Sequence, residues 1–258
     1  MPSTIELNSV GFDVENWQLF LISQNLLNDI ADGQFGQHTL AATKQFQADN
    51  NLAENGVVDS NNYDVAMPLG LSDILDQRQG MDSPDWPPKP GFPPLVSNNA
   101  RQAIFGAFTF VPDPLADDPE NIRITNDWET DNIIDVAVPQ LRKVNGESSM
   151  QFHKLGANQL IKLWADWETA GLLHFVRSWD GSFDARFVRG SQTTLSNHSF
   201  GSAFDINVAW NEFGDEPALV GQKGSTRELV AIANANGFYW GGHFSKQDGM
   251  HFEVAKLM

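Results

Sequence analysis

Residues 196–205 read SNHSFGSAFD, and residues 248–253 read DGMHFE. Between them the two stretches supply two imidazoles and one carboxylate that suit a metal ion: His198, His251 and Asp205. Three protein ligands, with a fourth position left for water, is the arrangement of a catalytic zinc site. Asp248 lies three residues before the last histidine, and a carboxylate beside such a water is the expected general base.

Alternating apolar and polar residues predict one strand over 203–208 and another over 250–254. Successive side chains of a strand point to opposite sides, so Asp205 lies on the polar face of the first strand and His251 on the polar face of the second. Two such strands in one sheet place both residues over a common site. We therefore predict an α+β fold in which a small antiparallel sheet with flanking helices carries the zinc site, preceded by a small three-helix domain.

His198 precedes Asp205 by seven residues, an odd offset that would put it on the opposite face of a straight strand. Gly201 lies between them and can supply the bend or the positive φ that brings His198 back. A helix would also place residues seven apart on one face, but the glycine and the alternating run favour a turn followed by a strand.

The chain carries a formal net charge of −17 and no cysteine. Such an acidic chain without a basic stripe repels phosphate backbones, which argues against nucleic acid as a partner. Any metal site must be built from His, Asp and Glu. The sequence has no run of 18 apolar residues, so we expect no integral membrane segment. We also expect a monomer.

At 258 residues the chain is long enough for two domains. The sequence predicts a small helical unit. It has helical spacing over 13–21, a turn at 32–36, a second helix over 38–50, and a third short helix that is capped by Ser60 and reaches Met67. The predicted organisation has three parts: a helical domain over 1–70, a proline-rich linker over 71–100, and a catalytic domain over 101–258.

Residues 83–94 contain six prolines, which cannot sustain a helix or a central strand. Two interpretations stay open. The segment is a semi-rigid extended spacer, or it is a strap that lies on the catalytic domain with Trp86 and Phe92 as its anchors.

Two helices are predicted in the catalytic domain. Apolar residues recur at spacings of three and four over 149–172, with Gly171 near the end. Residues 225–228 have the sequence of a capping box, which would begin a second helix that ends at Gly237.

The N-terminal unit resembles the peptidoglycan-binding domain that is appended to cell-wall hydrolases. The resemblance covers nearly the whole segment and rests on Trp17-Gln18, Phe20-Leu21, the turn Asp32-Gly33-Gln34-Phe35-Gly36, Thr39, Ala42, Phe46-Gln47 and Gly56-Val57-Val58-Asp59. The same residues would also build a three-helix core, so the resemblance implies peptidoglycan as a partner without identifying the binding residues.

The C-terminal part, from about residue 177 onward, resembles the zinc D-Ala-D-Ala carboxypeptidase superfamily, which also contains phage L-alanyl-D-glutamate endopeptidases. The matching residues are Ser196, His198, Gly201, Ala203 and Asp205, then Trp240-Gly241-Gly242, then Asp248 and His251-Phe252-Glu253. The resemblance implies that His198, Asp205 and His251 bind Zn²⁺ and that Asp248 is the catalytic base. It also implies a substrate-contacting arginine upstream, which we match to Arg186, with Arg189 as a rival.

The remaining expectations concern residues near these motifs. Ser196 either orients a ligand or is an ordinary turn residue, and Trp240 and Glu253 are expected to support the ligands or contact substrate. His243 departs from the family pattern and is expected in a loop near the cleft. Three other histidines have no carboxylate at ligand spacing and are expected outside the site: His38, His153 and His174.

The predicted activity is zinc-dependent hydrolysis of peptide bonds in peptidoglycan stem peptides, as an endolysin-like enzyme of the L-Ala-D-Glu endopeptidase or D,D-carboxypeptidase type. The alternatives are a zinc-containing cell-wall-binding protein without catalysis and a metallopeptidase for ordinary proteins. The N-terminus lacks a basic and an apolar region. We therefore expect synthesis in the cytoplasm without a Sec signal peptide and action on the wall after release or export, as a phage lysin or a secreted effector.

Overall fold

The computed structural model describes residues 3–78 and 85–258. The chain divides into two compact units, one formed by residues up to 86 together with 219–223, and the other by residues 87–218 and 224–258. No helix in the described ranges is both long enough and apolar enough to cross a membrane. The architecture is α+β with small antiparallel sheets, as the sequence predicted.

The first unit is helical, and its described helices are α1 Phe12–Ser23, α2 Gln37–Asp49, α3 Ser60–Ala66, the 3₁₀ helix Met67–Leu69 and α4 Leu71–Arg78. Trp17 is the centre of its core, with Phe46 and Tyr63 packed edge-on against the indole. The indole nitrogen donates to Thr43 Oγ1 at 2.9 Å. The one polar atom of this buried aromatic side chain is therefore hydrogen-bonded.

Two details of the first unit differ from the prediction. The N-cap of α3 is Asp59 and not Ser60, because the Asp59 carboxylate accepts from the backbone N–H groups of Asn61 and Asn62. Residues 71–78, which the sequence placed in the linker, form α4, and Leu71 is buried in the same core as Trp17.

The second unit contains α5 Asn98–Phe105, β1 Phe110–Pro112, β2 Ile122–Ile124, α6 Trp128–Asn132, β3 Ile133–Ala137, β4 Ser149–His153, α7 Ala157–Thr169, β5 Trp179–Gly181, β6 Ala203–Ile206, α8 Val230–Ala235, β7 Phe238–Trp240 and β8 His251–Val254. Short 3₁₀ helices lie at Pro139–Lys143, Leu173–Phe175, His198–Phe200, Val208–Trp210, Arg227–Leu229 and Gly241–His243. β1 pairs with β2 and β3 with β4 in two-stranded sheets.

A four-stranded antiparallel sheet of order β5-β6-β8-β7 is the centre of the second unit. Phe204 of β6 and Phe252 of β8 are direct partners, and their rings stack at 5.6 Å on the buried face. Trp167 of α7 packs edge-on against Phe252. The helix thereby covers the apolar side of the sheet and leaves the other side for polar residues.

The helix predicted over 149–172 is wrong in its first part. Residues Ser149–His153 form β4, and the helix α7 begins only at Ala157. Met150 and Phe152 are buried while Gln151 between them is exposed, which is the period-2 pattern of a strand. Phe152 also fits the helical spacing of the residues that follow it, so the two periods overlap in the sequence.

The predicted capping box begins a mixed helix. The Ser225 hydroxyl accepts from the backbone N–H of Arg227 and donates to the Glu228 carboxylate. The chain forms one 3₁₀ turn before α8 Val230–Ala235, and Gly237 follows with φ +77°. The predicted start and stop signals are therefore present, although the first turn is 3₁₀.

The proline-rich segment after Trp86 lies on the second unit. Pro87 O accepts from the His243 ring at 2.7 Å, Pro88 O accepts from Asn234 Nδ2 at 2.9 Å, and Leu95 N donates to Glu253 Oε1 at 2.9 Å. Residues 87–95 therefore form the strap and not a free spacer. Trp86 is buried and Phe92 half-buried, whereas residues 83 and 84 lie outside the described ranges.

Gly201 makes the turn between His198 and β6. Its φ is +58°, and a Cβ atom there would lie 2.6 Å from Ile133 Cδ1 and 3.0 Å from His153 N. Its carbonyl accepts from His153 N at 2.7 Å. The position thus requires both a left-handed backbone and the absence of a side chain.

We expect Gly201→Ala to lower the free energy of unfolding by about 2–5 kcal/mol, the sum of a left-handed alanine and an overpacked site. Gly171→Ala is the matched control, because Gly171 also has positive φ (+73°) but nothing lies near its Cβ position. The control should lose only about 1–2 kcal/mol. Urea unfolding of both variants measures the difference, and equal losses would show that the contact with Ile133 is unimportant.

Candidate active site

His198, Asp205 and His251 converge from three separate elements: a 3₁₀ turn, β6 and β8. Asp205 Oδ1 lies 3.2 Å from His198 Nε2 and 3.0 Å from His251 Nδ1, and these two nitrogens are 3.1 Å apart. Asp205 and His251 are direct cross-strand partners, so they share one face of the sheet, as the alternation predicted. The three side chains form a group that could hold a metal ion.

The other nitrogen of each imidazole contacts an acceptor. His198 Nδ1 lies 2.5 Å from the Ser182 carbonyl, and His251 Nε2 lies 3.2 Å from Glu253 Oε2. Neutral imidazoles that donate to these two acceptors would leave the lone pair of each inner nitrogen available to a metal ion. This arrangement is typical of metal-binding histidines, in which the outer hydrogen bond fixes the tautomer and the ring orientation. The donor set thus fits a divalent metal with N and O preference.

The charges of the cluster are strongly coupled. Burial by itself raises the pKa of Asp205, but the charges and hydrogen bonds of His198 and His251 outweigh it and hold the pKa below its usual range. Burial lowers the pKa of His251, yet the hydrogen bonds to Asp205 and Glu253 raise it above its usual value. Without a metal ion, the positive charge of protonated His251 balances the Asp205 and Glu253 carboxylates. A metal cation would have to displace this proton, so protons and metal would compete for the site.

Asp248 lies outside this ligand group, and its pKa is raised, whereas the pKa of Asp205 is lowered. Burial raises its pKa to about 6, with an additional contribution from the Asp205 charge, while the charges of His251, His198 and Arg186 lower it. Its Oδ1 is buried and has no hydrogen-bond partner among the described residues. A carboxylate with a pKa near neutrality and a free acceptor atom is suited to proton transfer.

Trp240-Gly241-Gly242 positions the Asp248 loop through close backbone contacts. Gly241 O accepts from Asp248 N at 3.0 Å, and a Cβ on Gly241 would lie 2.5 Å from Asp248 O. Trp240 is fully buried and donates from its indole to Gly249 O at 2.8 Å. Trp240 thus lies beneath the loop that carries Asp248 and supports it.

Ser196 is hydrogen-bonded to the backbone of the turn that carries His198. Its Oγ accepts from His198 N at 3.2 Å, and its own N–H donates to Arg186 O. The Arg186 side chain bonds Asp184 Oδ2 at 2.8 Å and Phe187 O at 3.2 Å, and is 13% exposed. Arg189 is exposed.

A cavity of about 670 Å³ opens over the cluster. His198, Asp205, His251 and Asp248 line it, as do both predicted arginines. Its other lining residues include an aromatic group and a third arginine: Phe213, Tyr239, Phe244 and Arg101. Tyr239 and Phe244 stack with their ring centroids 5.8 Å apart. The cavity thus combines the three side chains that could hold a metal ion with a pair of stacked aromatic rings and three arginines.

Sequence reasoning missed two buried residues of the site. Asn197 donates from its amide to Glu253 Oε2, and Arg101 Nε donates to Asn197 Oδ1 at 2.9 Å. Asn197 directly precedes His198 in the sequence, and this position could have identified it as a residue of the site. Arg101 lies on α5 and has no motif near it.

The other histidines differ from one another. His243, expected in a loop near the cleft, is buried in the 3₁₀ turn Gly241–His243, lines the cavity and contacts the strap. His153 is buried beside Phe105 and Trp128, and its Nε2 contacts Phe105 O at 3.2 Å. His38 and His174 are exposed. None of these four histidines belongs to the group that could hold a metal ion.

Comparison with known families agrees with this geometry. Residues 189–254 match the family model described as D-alanyl-D-alanine carboxypeptidase. Residues 10–65 match that of a putative peptidoglycan binding domain. Both resemblances are confirmed. No curated protein matches the chain.

The carboxypeptidase match includes the metal-binding group and Asp248, but it begins three residues after Arg186. The order of the two matched segments, a wall-binding type followed by a peptidase type, supports a cell-wall peptidase.

We expect Asp248→Asn to stabilise the protein when divalent metal has been removed with a chelator. Because the pKa of Asp248 is raised from its usual 3.8 to about 6, ionisation favours the unfolded chain. The gain from asparagine should be absent below pH 4, grow between pH 4 and pH 6, and level off at about 2–3 kcal/mol above it. Urea unfolding across this range measures it, and a gain independent of pH would contradict the assigned shift.

Proposed function

We propose that the protein is a zinc-dependent peptidase that hydrolyses a peptide bond in the stem peptides of peptidoglycan. The observation that carries the proposal is the geometry of the cluster. His198 and His251 each turn one ring nitrogen toward the Asp205 carboxylate, and a second buried carboxylate, Asp248, has an unpaired oxygen and lines the same cavity. The matches to a D-alanyl-D-alanine carboxypeptidase family and a peptidoglycan-binding domain support the choice of polymer.

The residues that would hold the metal are His198, Asp205 and His251. Imidazole and carboxylate groups suit Zn²⁺, and three such ligands leave a coordination position for water or substrate. When bound, zinc supplies a Lewis acid and lowers the pKa of a water molecule to about 7. Glu253 and the Ser182 carbonyl would hold the two imidazoles in the ligating orientation through the hydrogen bonds described above.

Asp248 would be the general base. Its free Oδ1 can accept a proton from the attacking water, and the same carboxyl group can then deliver the proton to the leaving amine. In the metal-free protein the raised pKa of about 6 still leaves Asp248 mostly ionised at neutral pH, as a general base requires. Its loop is held by backbone hydrogen bonds, so the carboxylate is placed before substrate binds.

Arg186 would stabilise the negative charge that develops on the carbonyl oxygen of the scissile bond. It lines the cavity, and its contacts with Asp184 and Phe187 fix the guanidinium from one side. Arg189 lines the same cavity from an exposed position, with more freedom and better hydration. A hydrogen-bond donor whose position is fixed stabilises the transition state more than a mobile donor, because it need not reorganise during the reaction.

The first unit would bind the wall. A binding domain linked to a peptidase raises the local concentration of the insoluble substrate. We propose that the protein works as a monomer on the wall after release or export, as a phage lysin or a secreted effector. The bond is either L-Ala-D-Glu, as in an endopeptidase, or D-Ala-D-Ala, as in a carboxypeptidase.

A cell-wall-binding protein with a catalytically silent zinc site is the second candidate, since residues 10–65 alone would support binding. A structural zinc site closes its coordination with four protein ligands. The described group has three, and Asp248 has a buried atom without a partner. These features favour the hydrolase.

We expect Asp248→Ala to retain stoichiometric zinc and to lose at least about 100-fold in hydrolysis of purified peptidoglycan, the usual contribution of a general base. His251→Ala should lose zinc as well as activity. Elemental analysis and release of soluble peptides measure the two properties. Unchanged turnover in the first variant would refute the role of Asp248, and a native protein that takes up no divalent metal would refute the zinc enzyme.

The two arginines can be separated by their effect on kcat. Arg186→Gln should reduce kcat by roughly 100- to 1000-fold, the cost of one donor to a developing oxyanion. Arg189→Gln should stay within about threefold of the native protein, as expected for an exposed, hydrated side chain. The reverse ranking would transfer the role to Arg189.

Mass spectrometry of the fragments released from purified walls would identify the bond. A carboxypeptidase releases free D-alanine and leaves the glycan–peptide connection intact, whereas an L-Ala-D-Glu endopeptidase releases stem peptides that begin with glutamate. Cleavage of unrelated proteins at comparable rates would favour an ordinary metallopeptidase.

A further inference from the structure

Arg101 is a buried cation in the wall of the same cavity. It stands on α5 Asn98–Phe105, which begins at the Ser97 cap, and only 4% of the residue is exposed. It lines the cavity together with the metal-binding group and Arg186. α5 precedes the residues that match the carboxypeptidase family, so that match assigns Arg101 no role.

The hydrogen bonds of Arg101 are incomplete. Its Nε donates to Asn197 Oδ1 at 2.9 Å, but its Nη1 has no partner. No carboxylate of the described residues lies within ion-pair distance of the guanidinium, although the chain carries 33 Asp and Glu residues. A buried, unpaired charged donor is costly, and such groups are normally satisfied. A guanidinium is therefore held beside the cavity without the anion that it prefers.

The preferred anion of a guanidinium is a carboxylate, because two parallel N–H groups match its two oxygens. Glu253 does not fill this role. Its Oε1 accepts from Leu95 N, and its Oε2 accepts from Asn197 and contacts His251 Nε2. Asn197 thus stands between the two charged groups, and Arg101 Nη1 is left without an acceptor among the described residues.

We propose that Arg101 is a substrate-binding residue that takes a free carboxylate of the peptide. The proposal rests on the proposed function, since it makes the cavity the site for a stem peptide. Two carboxylates of such a peptide have the same chemistry: the C-terminal carboxylate of a chain that ends in D-alanine, and the free α-carboxylate of a D-glutamate residue. In either case a buried charge selects substrates by one anionic group beside the scissile bond.

A purely structural role would make Arg101 a positioning residue that compensates the charge of Glu253 through Asn197. The two roles predict different results. A substrate contact discriminates a carboxylate from a carboxamide of nearly the same shape, whereas a positioning residue affects both forms equally and acts through zinc retention at His251.

The test is calorimetric binding of matched peptides to the full-length, zinc-loaded protein carrying Asp248→Ala, which prevents cleavage. One pair is L-Lys-D-Ala-D-Ala with a C-terminal carboxylate or carboxamide. The other is L-Ala-γ-D-Glu-L-Lys with the glutamate α-carboxylate or its amide. One pair should show roughly 10- to 100-fold tighter binding of the acid, as expected for a charged hydrogen bond. That pair identifies which carboxylate Arg101 takes.

Adding Arg101→Gln should abolish this preference while zinc content stays at one equivalent. Arg142→Gln is the matched control, because Arg142 is exposed and does not line the cavity. Should the glutamine variant fail to fold, Arg101→Lys keeps the charge near Glu253 but lacks the planar fork, and it should lose most of the preference.

Equal binding of acid and amide in both pairs would overturn the proposal, as would a preference that survives in Arg101→Gln. Equal weakening of both forms together with zinc loss would make Arg101 a positioning residue. Wall hydrolysis by the native protein is scored separately. Hydrolysis without a carboxylate preference refutes only the role of Arg101, and a carboxylate preference without hydrolysis refutes only the proposed enzyme.

Discussion

The antiparallel register between β6 and β8 is the constraint on which the site depends. It places Asp205 directly opposite His251, while the neighbouring pair, Phe204 and Phe252, stacks on the buried face. A slip by one residue would exchange these two sets, so that the ligands would enter the core and the aromatic rings would face the cavity. The burial of the rings against α7 therefore fixes the register of the two strands, and with it the relative positions of Asp205 and His251.

Around Asp205 and His251, hydrogen bonds fix the orientation of the imidazole rings and of the Glu253 carboxylate. His198 is added by a glycine turn, and its outer nitrogen is held by a carbonyl from a separate loop. Glu253 accepts from the strap, from Asn197 and from the ring of His251. Its charge is thereby satisfied by donors, and it can hold an imidazole proton without becoming a ligand itself. The site is thus preorganised by residues that do not touch the ligand position.

Much of this could be predicted because the signals are local. Strand alternation has a period of two, which was enough to place Asp205 and His251 on one face of a sheet, and a single glycine indicated how His198 could join them. The helix predicted over 149–172 failed since Phe152 satisfies two periods at once, and only its pairing with β3 selects the strand. Arg101 could not be found, because its contact with Asn197 spans 96 positions and depends on tertiary packing alone.

The hydrogen bond from Leu95 to Glu253 connects residues 158 positions apart. A contact of such sequence separation forms only when the intervening chain has closed, since the loop entropy must be overcome first. The orientation of His251 depends on this same carboxylate. Binding of a metal ion by His198, Asp205 and His251 would therefore require the completed second unit and not a local peptide alone. A metal-binding signal would report on the integrity of the strap, the sheet and the turn at Gly201 together.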